Sequence, residues 1–345
     1  MNLHRHHLAL AALCLTSLLG ACGDDDDAVD PGTGTTSSGA TTGSGGEGGE
    51  AATTSAGTGG EGGEGGEGGE GGEGGAGGSG GGPAYAFRQV DGFSTPESCF
   101  WDPEDRVWYV SNIGGEGEAG WISRLDEEGT VLDATWFEGL VDPKGIRVFD
   151  GVLYVADVDK VVGISLSDAT ATEYPMEGSQ FVNDVAVDEA TGQVYASDSL
   201  AQVVYRFDAG DPESAEVFLE FEEVAGPNGL LVDGGALILV GTGELSAEGE
   251  LGSVLSIDIE GTAVTRLGDI AGKFDGVEKD GDALWVSEWI SGKIYRVEAD
   301  GAWALAYDLA ADHGLGSAAD IGFDPERRIL CIPDLGSSVA FLTVE

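Results

Sequence analysis

The sequence predicts an all-β protein: a six-bladed β-propeller preceded by a signal peptide and a disordered linker. Six segments between residues 84 and 345 each consist of an apolar strand, an Asp-led turn and a second apolar strand. They recur every 39 to 47 residues, and no convincing helix pattern lies between them. A repeat of about 45 residues with four short strands per unit is typical of propeller blades.

The turns and the chain ends support this architecture. Asp can bond its own backbone and so favours chain reversal. The six turns open at Asp102, Asp150, Asp188, Asp233, Asp280 and Asp324. The sixth unit ends after its third strand, "SSVAFLTVE", so we expect its outer strand to come from residues 84–93, "AYAFRQVDGF". This exchange would close the ring and remove two open sheet edges.

The first 83 residues have a different composition. Arg5 precedes an apolar run at residues 8–19, which is too short to span a bilayer and indicates an export signal over residues 1–21. "LGAC" resembles the lipobox of bacterial lipoproteins, which predicts lipidation of Cys22 and an exported, membrane-anchored protein at the bacterial envelope. An ordinary cleaved signal is the alternative. Residues 22–83 are rich in Gly, Glu, Ser and Thr without aromatic residues, which predicts a disordered tether.

Charge and cysteine content limit the partners. The chain has 63 Asp and Glu against 15 Lys and Arg, a net charge of −48. Nucleic acid is therefore excluded as a partner, because its binding depends on basic side chains. We expect a monomer that meets the membrane only through its lipid. Export permits a disulfide between Cys99 and Cys331. Two buried free thiols are favoured, because no sequence pattern brings their Cα atoms together.

Inner strands of a propeller converge on its axis, so polar residues that open them should form a ring. We name this set the axial ring: Glu97, Lys144, Asn183, Asn228, Asp275 and Asp320. Carboxylate and amide oxygens suit Ca²⁺ better than zinc. The alternative is a hydrogen-bonded plug in which Lys144 neutralises Glu97 or Asp320.

These motifs resemble those of the senescence marker protein, regucalcin and gluconolactonase family of six-bladed propellers, and more distantly calcium-dependent paraoxonases and diisopropyl-fluorophosphatases. "TPESCFWD", "GPNGLLVD" and "KFDGVEKD" place Glu97, Asn228 and Asp275 at the family's metal ligands. "FVNDVAVD" places Asn183 where a further Asn touches the metal or its water. The resemblance implies one divalent cation, Ca²⁺ first, and hydrolysis of a small lactone or ester. Phe181 replaces the substrate-holding Arg of family lactonases, and the paired histidines of paraoxonases are absent.

The resemblance also suggests roles. Asp275 would be both metal ligand and general base, and Lys144 would hold an oxyanion or an anionic leaving group. Other residues at the same face are candidates for a second shell or pocket: Asp320, Asp198, Glu288, Trp289 and His313. The competing hypothesis is a non-enzymatic surface propeller that binds protein or glycan, with the ion or polar ring only structural.

Overall fold

The structure, a computed structural model, describes residues 87–223 and 225–345. The predicted signal peptide at residues 1–21, the lipidation site Cys22 and the tether through residue 83 lie outside the described residues. In the part that is described, no helix is long and apolar enough to cross a membrane.

The described chain forms six four-stranded antiparallel sheets, which confirms the predicted six-bladed propeller. The strands of the first three blades, from the axis outwards, are β2 (Pro96–Asp102), β3 (Val107–Asn112), β4 (Gly120–Asp126) and β5 (Val131–Leu140); β6 (Pro143–Phe149), β7 (Val152–Asp157), β8 (Lys160–Ser165) and β9 (Ala171–Pro175); β10 (Val182–Asp188), β11 (Gln193–Asp198), β12 (Val203–Asp208) and β13 (Glu216–Glu220).

The last three blades follow the same order. Their strands are β14 (Pro227–Asp233), β15 (Ala236–Gly241), β16 (Val254–Asp258) and β17 (Val264–Arg266); β18 (Phe274–Asp280), β19 (Ala283–Glu288), β20 (Lys293–Val297) and β21 (Trp303–Asp308); β22 (Gly322–Asp324), β23 (Ile329–Pro333), β24 (Ser338–Thr343) and β1 (Phe87–Asp91).

The two ends of the propeller share the sixth blade, as the sequence predicts. Strand β1 pairs antiparallel with β24, from Phe87 opposite Leu342 to Asp91 opposite Ser338. A disulfide joins the first blade to the sixth, between Cys99 of β2 and Cys331 of β23, with 6.0 Å between their Cα atoms. The expectation of two free thiols was therefore wrong. The two cysteines are 232 residues apart, and only closure of the ring brings them together.

The Asp-led turns have the predicted chemistry. The Asp102 side chain accepts from the Glu104 amide at 2.9 Å, and Asp188 accepts from the Ala190 amide at 3.0 Å. One element is additional: a five-residue helix, α1 (Leu309–His313), follows β21. Asp308 caps its first turn, and Gly314 ends it at φ 74°, a left-handed conformation that glycine adopts readily.

The core lies between neighbouring blades. One cluster packs Tyr154 of the second blade against Phe207 of the third, and another packs Val240 of the fourth blade against Phe274 of the fifth. Because each sheet is held on both faces, the inner strands are fixed relative to one another. This rigid frame positions the side chains at the axis.

Candidate functional site

The inner strands of the first five blades share one irregularity. The first residue of each inner strand pairs with the second strand of its blade, the next two residues are unpaired, and pairing resumes at the residue after them. In the first blade, Pro96 lies opposite Asn112 and the next pair is Cys99 opposite Val110. The same break occurs in β6, β10, β14 and β18. The residues left out of these ladders are 97–98, 144–145, 183–184, 228–229 and 275–276. A bulge re-aims side chains, and here it occurs at five members of the axial ring.

In three of the five bulges, a serine hydroxyl group accepts from one of the amides that the bulge leaves out of the ladder. Ser111, Ser197 and Ser287 accept from the backbone amides of residues 98, 184 and 276 at 2.8 to 2.9 Å. Each serine is the next-to-last residue of its second strand. In these three blades the freed amide is therefore paired, as buried backbone groups usually are.

The four predicted metal ligands are buried and come together at one end of the axis. Asn183 Nδ2 donates to Asn228 Oδ1 at 2.6 Å, and Asn228 Nδ2 donates to the Phe274 carbonyl oxygen at 3.4 Å. Glu97 Oε2 and Asp275 Oδ1 are buried and have no hydrogen-bond partner. An unpaired buried carboxylate oxygen is costly, so these two atoms identify the position where a ligand would be favoured.

Burial and mutual repulsion raise the pKa values of these carboxyl groups. Desolvation, followed by the charge of Asp184, raises the pKa of Asp275 to about 7. Desolvation and then the Asp275 charge raise the pKa of Glu97 well above its usual range. The pKa of Asp320 is likewise raised by burial and by Asp184. A cation placed among these groups would favour their charged forms.

Lys144 has a different partner from the one expected. Its ammonium group forms a buried ion pair with Asp142 Oδ1 at 2.7 Å and donates to the Asp142 carbonyl oxygen at 3.1 Å. The ring of Phe181 lies 4.5 Å from Nζ. Lys144 was expected to pair with Glu97 or Asp320. It pairs instead with Asp142, in the segment that leads into β6. Lys144 still lowers the pKa values of Glu97 and Asp275 through its charge.

Three residues deeper along the axis were missed. Asp184 is buried and accepts from the Leu230 amide at 2.6 Å, and burial raises its pKa to about 6. Arg147 and Glu278 form an ion pair at 2.6 Å between the second and fifth blades, which are opposite in the ring. Asp184 directly follows Asn183 in "FVNDVAVD", and these two adjacent polar residues at the start of an otherwise apolar strand were the sequence signal that could have found it.

Asp320 lies at the axis, as predicted. It joins Ser98 in an isolated parallel bridge and accepts a hydrogen bond from the Ser98 hydroxyl. Its second oxygen, Oδ1, is buried without a hydrogen-bond partner. Asp320 thus belongs to the same polar cluster as Glu97 and Asp275.

The other candidate pocket residues have structural contacts. Asp198 accepts from the amides of residues 180, 181, 200 and 201, so it fixes the chain entering and leaving its blade. Glu288 accepts from the Lys273 amide and the Ser291 hydroxyl. Trp289 is buried and donates to Thr242 Oγ1 at 2.8 Å.

His313 lies apart from this cluster. Its imidazole stacks on Phe87 of β1, with 3.7 Å between the ring centroids. Strand β1 is the outermost of the sixth blade, three strand spacings or about 14 Å from the inner strand. The structure therefore does not bring His313 together with the axial ring.

The donor set can be tested against the chemistry of the implied ion. Within the described ranges, no group of three or more His, Cys, Asp or Glu side chains is arranged to hold a metal. The candidate set has two carboxylates, Glu97 and Asp275, and two amides, Asn183 and Asn228. These are all oxygen donors, which fits Ca²⁺ with water completing its coordination and does not fit zinc.

Comparisons with known proteins agree on the fold. The chain matches no protein-family model, and no curated protein is significantly similar to it. A gluconolactonase from Xanthomonas campestris superposes with a TM-score of 0.56 at 20% identity, covering 74% of this chain and 88% of that one. A virginiamycin B lyase from Staphylococcus aureus superposes with a TM-score of 0.51 at 14% identity, covering 76% and 100%. Both are six-bladed propellers. The chain is thus an all-β propeller with a gluconolactonase-like fold.

Proposed function

We propose that this protein is a divalent-metal-dependent hydrolase of a small lactone or ester, with Ca²⁺ as the favoured ion. One observation carries the proposal: Glu97 Oε2 and Asp275 Oδ1 are buried without hydrogen-bond partners beside the amides of Asn183 and Asn228. Two such oxygens near two amide groups form an oxygen-rich site. Pairing them with a cation would offset the cost of their burial.

The residues of the site would divide the work. Asp275 would accept a proton from the attacking water, because its buried Oδ1 has no other hydrogen-bond partner and a carboxylate within reach of the water can act as general base. Glu97 would hold the ion from the first blade. Lys144 would stabilise negative charge on the substrate oxygen, while Asp142 keeps its ammonium group in place. A bound divalent cation would polarise the carbonyl group of the lactone or ester.

Two measurements on the purified full chain test the proposal. Calorimetric titration with CaCl₂, MgCl₂, MnCl₂ and ZnCl₂ should show one bound ion, with Ca²⁺ the tightest, and chelation should lower the melting temperature. A panel of lactones and aryl esters should be hydrolysed in an ion-dependent way. Glu97→Gln should weaken ion binding and activity together, whereas Asp275→Asn should reduce turnover more than ion affinity.

The matched control is Glu104→Gln, an exposed carboxylate in the turn between β2 and β3. It makes the same change of charge outside the site, and both readouts should stay at the native level. If no ion binds and none of the four metals changes the melting temperature, the metal site is contradicted and the hydrogen-bonded plug at the axis is supported.

A second function has its own support. Phe181 stands where lactonases of the resembled family carry an Arg, and its ring covers Lys144. This favours a non-enzymatic surface propeller that binds protein or glycan, with the ion only structural. Ion binding without hydrolysis of any ester or lactone, together with retention on a glycan array, would support this function over the hydrolase.

The surface location is also part of the proposal. Acylation of Cys22 would anchor the chain at the bacterial envelope, and Cys22→Ala should move the protein from the membrane fraction to the soluble fraction. If the variant still sediments wholly with membranes, another anchor is required.

A further inference from the structure

Ser199 directly follows β11 and is buried next to the candidate ion site. Its Oγ accepts from Asn183 Nδ2 at 3.0 Å and donates to the Pro227 carbonyl oxygen at 2.6 Å. Pro227 begins β14 and directly precedes Asn228. The Ser199 amide also donates to the Phe181 carbonyl oxygen at 3.1 Å. Ser199 therefore joins the starts of two inner strands, those of the third and fourth blades.

The hydrogen bonds around Asn183 have a fixed direction. A hydroxyl group has one proton, and Ser199 uses it on the Pro227 carbonyl oxygen, so its Oγ can only accept from Asn183. The Asn183 amide must therefore turn its nitrogen towards Ser199. Its second N–H group donates to Asn228 Oδ1 at 2.6 Å. Both N–H groups of Asn183 are thus used, and its Oδ1 is left as an acceptor.

The same direction continues into the fifth blade, because Asn228 Nδ2 donates to the Phe274 carbonyl oxygen at 3.4 Å. The side-chain protons of this series are directed at backbone carbonyl oxygens and at neighbouring side chains. The unpaired oxygens Glu97 Oε2 and Asp275 Oδ1 belong to the same cluster. The site therefore offers acceptors, which suits a cation, and the series begins at Ser199.

We propose that Ser199 is a positioning residue for the ion. Because its proton is held by the Pro227 carbonyl oxygen, Ser199 fixes the Asn183 amide so that Asn183 presents oxygen, not nitrogen, to the cation. This inference rests on the proposed metal-dependent function and adds to it a residue outside the predicted ligands. Without the hydroxyl group the amide can flip and turn its N–H groups towards the ion, which they repel.

The test is calorimetric titration of the purified full chain with CaCl₂. Ser199→Ala should lower the affinity for Ca²⁺ about tenfold, as is typical when the partner that orients a metal ligand is lost. The same change is then made in an Asn183→Asp background, where a carboxylate has oxygen on both sides and needs no orientation. In that background Ser199→Ala should leave the affinity unchanged or raise it. A merely structural serine would lower the affinity equally in both backgrounds.

The matched control is Ser123→Ala in the first blade. Ser123 is buried, accepts from Asn112 Nδ2 at 3.0 Å and donates to the Ala134 carbonyl oxygen at 2.6 Å. These two bonds have the same kinds of partner and the same lengths as those of Ser199, but Ser123 lies in β4, the third strand from the axis. Both single variants should lower the melting temperature in EDTA by similar amounts, whereas only Ser199→Ala should weaken Ca²⁺ binding.

The outcomes separate the two proposals. Native Ca²⁺ affinity in Ser199→Ala, an equal loss in the native and Asn183→Asp backgrounds, or an equal loss in Ser123→Ala overturns the positioning role and leaves the metal site intact. If the native chain binds no Ca²⁺, the metal site is contradicted and the role of Ser199 with it. If Ser199→Ala does not fold, Ser199→Cys replaces it in the same comparisons, because a thiol is only a weak hydrogen-bond donor and acceptor.

Discussion

Asn183 Nδ2 donates to Asn228 Oδ1 at 2.6 Å, and this contact joins the inner strands of the third and fourth blades. The donor nitrogen of Asn183 also reaches Ser199 Oγ at 3.0 Å. Both donor contacts orient the Asn183 side chain and leave its oxygen available. The two amides are therefore held as a pair, and the loss of either should disturb the same site.

Replacement of Asn228 by Leu should lower the affinity for Ca²⁺ at least tenfold, because it removes one oxygen donor and the acceptor for Asn183. Asn228→Asp should retain affinity, since it keeps an oxygen in the same place and adds charge. Calorimetric titration of the two variants checks this. Equal affinity of the native chain and Asn228→Leu would remove Asn228 from the site.

The Lys144–Asp142 ion pair should stabilise the fold only as a pair. Asp142→Asn leaves a buried ammonium group without its counter-charge and should cost about 3–5 kcal/mol of unfolding free energy. Adding Lys144→Met to this variant should recover a large part of the loss. Urea unfolding of both single variants and the double variant measures the coupling; simple additivity would contradict it.

The metal-free protein should lose stability as pH rises from about 4 to about 7. The pKa of Asp275 is about 7 in the folded state against 3.8 for an ordinary Asp, so over this window the unfolded chain has released a proton that the folded chain keeps. Stability is thus greatest below the unfolded pKa and is lost as pH approaches the folded pKa. Melting in EDTA from pH 5 to 8 measures the slope.

Asp275→Asn is the matched variant for this pH dependence, because it keeps the shape of the side chain and removes the titration. Its slope should be clearly smaller than that of the native chain, although both carry the same background of exposed carboxylates. Identical slopes would show that the stability change arises elsewhere.

The Cys99–Cys331 disulfide should stabilise the closed ring. It spans 232 residues, and chain entropy alone assigns about 5 kcal/mol to a loop of this length. Cys99→Ser, Cys331→Ser and the double variant should all lose nearly the same stability, because each removes the same bond. Losses that add in the double variant would indicate two independent buried thiols.

Much of the fold followed from local patterns. Alternating apolar strands and Asp-led turns predicted six blades, and the missing outer strand of the sixth unit predicted β1 beside β24. The axial ring was also predictable, since the first residues of inner strands must converge. Helix α1 was not predicted, because five residues between an Asp cap and a glycine are too few to show a helical period.

The site was predictable only in part. Glu97, Asn183, Asn228 and Asp275 were identified from their place in the repeat, and the structure brings them together. Asp184 was missed because neighbouring side chains in a regular strand point to opposite faces, which would turn Asp184 away from Asn183. In β10 a bulge interrupts the pairing with β11, and neither residue is paired in the ladder.

The sequence by itself determined the blade repeat, the shared sixth blade and the oxygen-rich character of the axis, because strand alternation and turn chemistry act over a few residues. The tertiary structure alone decided the partners: Asp142 for Lys144, Glu278 for Arg147 across the ring, and Cys331 for Cys99. Such pairings depend on how blades rotate about a common axis and on where each bulge points a side chain. These distances are set when the ring closes, and no spacing along the chain encodes them.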